Sequence, residues 1–192
     1  IHSVTSILVA TIILAISIGT PWDKIEGIIN KGMADTLKSI AIVIVLGCIL
    51  GKVLEETGAA VSITKATVKL FGEKRVLWAI LLASAILGIP IWADTVVILL
   101  IPIVSNLALQ TNKSMMSYGT ALYMGALVTA SLVPPTPGPV AAAALLHLPL
   151  SDAIMWGVLI SIPSVFAAGL YCLTLKEPVA PQDEYIKSAE AS

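Results

Sequence analysis

Between Val76 and Leu175 the chain carries three charged residues, Asp94, Lys113 and Asp152, and Asp94 alone lies between two apolar runs. A carboxylate near the centre of a membrane helix costs about 2.5–3.5 kcal/mol on insertion scales. It persists where it faces a wet cavity, binds a cation or proton, or meets a partner. Asp94 and the adjoining Thr95 are therefore read as an ion- or proton-coupling pair. The alternative is a turn residue at a hairpin tip, or a cap on the helix that begins at Thr95.

The second cluster is the run TASLVPPTPGP, residues 129–139, in which five of the six positions from 134 to 139 are proline or glycine. That block predicts a break in helix. Unwound backbone inside a bilayer frees amides and carbonyls that, with half-helix dipole ends, bind an anion and its coupling ion. Thr129, Ser131 and Thr136 add hydroxyls, and Pro134, Pro135, Pro137, Gly138 and Pro139 shape the backbone. The alternative is a loop outside the membrane. Against it, the seven apolar residues Val140 to Leu146 are too few to form a span of their own.

Composition sets the environment for both clusters. Of 192 residues 57% are hydrophobic and 12% charged, and mean hydropathy is +0.97. Soluble chains run at roughly 45–50% and about 25%. The chain is an all-α membrane protein, a polytopic helical bundle in the lipid bilayer. A net charge of −1 with no basic patch excludes nucleic acid as a partner. Cys48 and Cys172 form no metal-ligand spacing and no disulfide framework. No cofactor or metal is called for.

The elements follow from apolar runs and breakers. Ser3 to Gly19 is charge-free and reads as a span whose beginning lies upstream. Thr20-Pro21 predicts a helix start, and Thr20 to Thr36 predicts a short amphipathic helix, interfacial or merely connecting. Leu37 to Leu54 is a second span, in which Lys38 and Lys52 snorkel and Gly47 and Gly51 form a GxxxG of little weight. Glu55 to Arg75 holds four basic residues, which place it in the cytoplasm. Val76 to Asn112 is too long for one span. Gly88 to Asp94 predicts a turn within the membrane, and Pro102 a second interruption. Met115 to Val133 and Val140 to Leu146 form one discontinuous span. Ala153 to Leu175 is the last span, kinked at Pro163, and Lys176 to Ser192 is a loose polar tail. Residues 1–175 thus form the membrane unit and 176–192 a linker. His2 is terminal, and His147 reads as an interfacial residue more readily than as a solute contact.

Three stretches, GIPIWADTVVILLIPIV (88–104), VTASLVPPTPGP (128–139) and LGKVLEETGAA (50–60), resemble the gluconate:proton symporter (GntP) family, as does the GMADTL approach to the second span. The resemblance covers about Pro21 to Leu175. It implies an inner-membrane secondary transporter of gluconate or related hydroxy acids, with D-serine as the substrate of some members. It also implies two inverted repeats in a protein about twice this length, of which this chain resembles the first repeat without its first span. Asp94 takes the place of the family's glutamate, and Ala93 that of its aromatic residue, with Trp92 adjacent. The family's histidines fall where this chain has Ala130 and Thr136. That removes a histidine relay and leaves Asp94 to carry the proton, or a different cation such as sodium to drive transport.

The function expected is a symporter of small organic anions coupled to a proton or sodium gradient, with no catalytic residue; a homo-oligomer is compatible with it. An intramembrane aspartyl enzyme needs a second carboxylate beside Asp94, and no other acid lies inside a span. A structural or channel-like subunit is the remaining alternative.

Overall fold

The computed structural model describes residues 3–72, 75–175 and 177–181. His2 and the tail beyond 181 lie outside the described residues. Every regular element among those described is helical: α1 (Ser3–Ser17), α2 (Trp22–Glu56), α3 (Ala59–Phe71), α4 (Val76–Leu87), α5 (Ala93–Gln110), α6 (Met115–Leu132), α7 (Pro137–Leu145) and α8 (Leu150–Thr174). The chain divides into two compact units, residues 1–41 and 42–192.

In the first unit α1 ends in a Schellman cap. Gly19 takes φ 76°, its N–H donates to Ile16 O, and the Thr20 N–H donates to Ala15 O. Pro21 then fixes the chain for the first turn of α2. The separate amphipathic helix and second span expected from the sequence are one helix of 35 residues. The stretch between them, MADTLKSIA, holds no proline or glycine, so nothing stops the helix when its polar face gives way to an apolar one.

In the second unit α6 is the hub, packing on α4, α5 and α8, while α3 packs on α4. Leu81, Leu87, Val96, Leu100 and Leu122 are fully or almost fully buried in its core. Trp78 of α4 stacks on Phe166 of α8 with centroids 5.4 Å apart. Among the described residues, three stretches are long and apolar enough to cross a membrane: Ala93–Gln110, Met115–Leu145 and Leu150–Thr174. Large exposed side chains such as Ile98, Ile162 and Phe166 give their outer faces an apolar coat.

Three further expectations are corrected here. Pro102 does not interrupt α5, which continues to Gln110 with the loss of one bond in its ladder. The last span expected from the sequence is one helix, α8, from Leu150 to Thr174 with Pro163 inside it. The second half-helix begins inside the proline block, at Pro137 rather than Val140: proline is tolerated in a first turn, where its N–H has no intrahelical acceptor. The chain after α8 is tied down at first. Ser114 and Ser117 donate to the carbonyls of Glu177 and Leu175, and the Met115 N–H donates to Val179 O at 2.9 Å.

His147 has a structural role. It takes φ 54° after α7, its N–H donates to Ala144 O, and the Leu148 N–H donates to Ala143 O. This is again a Schellman cap, here closed by a residue that pays for a left-handed backbone. His147→Gly should raise stability by about 0.5–1 kcal/mol, read as a higher melting temperature in detergent, with activity retained.

Candidate functional site

Two breaks in the helices meet in the second unit. The first is the turn between α4 and α5, residues 88–92. α4 has 12 residues and is therefore about 18 Å long, well short of a ~30 Å hydrocarbon core. The second is the segment 133–136 between α6 and α7, which contains a cis Pro134–Pro135 peptide.

Glycines set the approach. A Cβ on Gly88 would lie 2.5 Å from Ala126 O and 2.6 Å from Thr129 Oγ1, so only glycine lets the first break sit against α6 one turn below the second. A Cβ on Gly157 of α8 would lie 2.3 Å from Leu132 O. From α2, Gly47 faces Pro135, and Gly51 faces Pro90, whose carbonyl oxygen would be 2.8 Å from an added Cβ. A cleft of about 10 Å³ lies between them, lined by Ile44, Gly47 and Cys48 of α2, Pro90 and Trp92 of the first break, and Pro135, Thr136 and Pro137 of the second. That volume holds about one water.

The residues expected to form the site are distributed unevenly around it. Pro135, Thr136 and Pro137 line the cleft. Thr129 is buried, and its hydroxyl donates within α6 to Gly125 O (3.2 Å) and Ala126 O (3.3 Å). Pro134 is buried beside the cleft, and Ser131 and Gly138 are exposed. Asp94 is exposed in the first turn of α5, two residues beyond the cleft residue Trp92, and Thr95 is half-buried. A carboxylate there complements the positive end of the α5 dipole.

The second break offers fewer amides than an unwound segment ordinarily does. Prolines at 134, 135, 137 and 139 have no N–H, so the carbonyls of Ala130, Ser131, Val133 and Pro135 lose their i+4 donors. Thr136 makes up part of this loss, because its hydroxyl donates to Ala130 O at 2.5 Å and Val133 O at 2.9 Å. The two positions where the resemblance places histidine are thus neighbours across the break, joined here by a hydroxyl. The Val133 N–H is taken by Thr129 O. Among the described residues, the N–H groups of Thr136 and Gly138 have no acceptor, and both lie at the N-terminus of α7. The break therefore presents carbonyls at the negative end of α6 and two amides at the positive end of α7. Thr136→Val keeps the shape and removes the hydroxyl. It should cost about 1–3 kcal/mol, seen as a lower melting temperature.

Sequence reasoning missed the α2 wall. The Gly47–Gly51 pair was its signal, and GxxxG is too common to have carried weight.

Residues 1–192 match the family described as GntP family permease. A gluconate permease of Bacillus licheniformis is 31% identical over 182 residues, covering 95% of this chain and 41% of that protein. The high-affinity gluconate transporter of Escherichia coli (strain K12) is 30% identical over 187 residues, covering 95% and 43%. The Gnt-II system L-idonate transporter of the same strain is 31% identical over 141 residues, covering 73% and 32%. The chain thus spans about two fifths of the length of the first two. No solved structure matches it.

Proposed function

The chain belongs to the GntP permease family, and from that premise we propose that it is part of an inner-membrane, cation-coupled carrier of small hydroxy-carboxylates of the gluconate type. One observation carries the reading: two helix breaks, each flanked by apolar helix, meet at one cleft. Irregular backbone at membrane depth is tolerated where it is buried in protein or lines a wet cavity.

The chemistry divides between the two ends of the second break. The substrate carboxylate docks on the N–H groups of Thr136 and Gly138, aided by the α7 dipole. The sugar hydroxyls donate to the carbonyls that the prolines leave without partners. Thr129 and Pro134 hold the frame, Ser131 adds a hydroxyl from its exposed position, and Pro135, Pro137 and Pro139 keep competing amides away. Asp94, with Thr95, binds the coupling cation. Its charge opposes a substrate carboxylate, so the cation enters first and the anion follows.

Uptake into vesicles by the full-length protein tests this reading. Labelled gluconate should enter saturably and only under an imposed proton or sodium gradient, with L-idonate competing. Gluconate entry that neither saturates nor responds to either gradient would refute a carrier.

A further inference from the structure

From Ile42 onward α2 lies lengthwise against none of α3 to α8. It approaches the second break at Gly47 and the first at Gly51, and Leu54 packs against the core near its end. Cys48 stands between the glycines and lines the cleft with an exposed thiol. As closed, the cleft of about 10 Å³ has room for one water, far below the several hundred Å³ of an ordinary small-molecule site. The two breaks that form its other walls are held by close backbone packing, the first at Gly88 against α6 and the second at Gly157 of α8. The α2 wall meets the two breaks at Gly47 and Gly51 and packs on the core through Leu54, with no lengthwise helix contact behind it.

We propose that residues 44–51 of α2 are the movable wall of the solute site: Gly47 and Gly51 are the points on which it closes, and Cys48 faces the solute. This rests on reading the cleft as that site. A side chain at either glycine holds the wall off the breaks. A Cβ at 51 would lie 2.8 Å from Pro90 O, and one at 47 would lie 3.0 Å from Pro135 Cγ.

The test uses the full-length protein containing this chain, in vesicles, with Cys48→Ser to identify the signal from this thiol. In one arm, Pro137→Cys is introduced across the cleft from Cys48 and a short bifunctional thiol reagent is added without solute. The cross-link should form. Gly51→Ala should slow it about fivefold or more, while Gly27→Ala, where a Cβ meets nothing within 4 Å, should leave it unchanged. Equal rates in Gly51→Ala and the parent overturn the wall. In the other arm, gluconate is the probe and maleimide labelling of Cys48 is followed in the unmodified protein. Saturating gluconate should slow labelling about threefold or more. Gluconate uptake without protection of Cys48 overturns the wall. A Gly51-sensitive cross-link with no gluconate uptake supports the wall and sinks the gluconate reading instead.

Discussion

Gly125→Val is expected to remove most of the folded protein from the membrane. A Cβ at 125 would lie 2.1 Å from Ser84 Oγ, 2.5 Å from Leu81 O and 3.2 Å from Ala85 N. The hydroxyl can rotate away, but the Leu81 carbonyl and the Ala85 amide belong to the backbone of α4. Relief therefore requires α4 and α6 to separate. That contact anchors the bundle, since α6 carries the packing of α4, α5 and α8 together. Ser84 is fully buried and donates to Leu81 O at 3.1 Å, so separation also exposes a polar pair to an apolar gap. Overpacking costs about 1–3 kcal/mol where side chains can yield, and more where backbone must move. A loss of about 4 kcal/mol is a large share of a typical stability of 5–15 kcal/mol. Membrane yield and the melting temperature in detergent are the readouts. Gly27→Ala, which adds a Cβ in open space within α2, is the comparison and should equal or slightly exceed the parent. Parent-like yield and melting for Gly125→Val would mean that α4 and α6 do not touch there.

What the sequence disclosed follows from where single residues dominate. The turn at 88–92 was legible because glycine and proline interrupt an apolar run too long for one span. The break at 133–136 was legible because prolines delete donors whatever their surroundings. Features decided by neighbours were not legible. Pro102 reads as a breaker, yet α5 continues through it at the loss of a single helical bond, the rest of the ladder being intact. Pro137 and Pro139 read as non-helical, yet they open α7, where a missing N–H costs nothing. His147 reads as a polar residue near a membrane surface, whereas its backbone closes a helix. The carbonyl excess at the second break was written in the four prolines, but the hydroxyl of Thr136 across to Ala130 required coordinates. The role of α2 required them most, because the partners of its glycines lie some forty and ninety residues away in the chain, at Pro90 and Pro135.

Asp94→Asn is expected to uncouple transport. The side chain lies in the first turn of α5, close to the cleft residue Trp92, and it is exposed on a face shared with Ile98, which is 73% exposed. Lipid against that face would cost about 2.5–3.5 kcal/mol for the charge alone. A charge placed at the positive end of the α5 dipole also accounts for a carboxylate at this position, but the two roles predict different losses. A dipole role costs at most about 1 kcal/mol of stability on substitution by asparagine and leaves uptake intact. A cation-binding role loses the charge that holds the ion. Gradient-driven accumulation of gluconate should then fall to near the downhill level, because a loss of about 2.7 kcal/mol weakens ion binding about a hundredfold. Downhill exchange of gluconate should persist, because the amides of Thr136 and Gly138 are untouched. Asp94→Glu keeps the charge and should keep coupling. Accumulation by Asp94→Asn at the parent level, under both proton and sodium gradients, would assign Asp94 to the helix alone and leave the driving ion to the carbonyls of the second break.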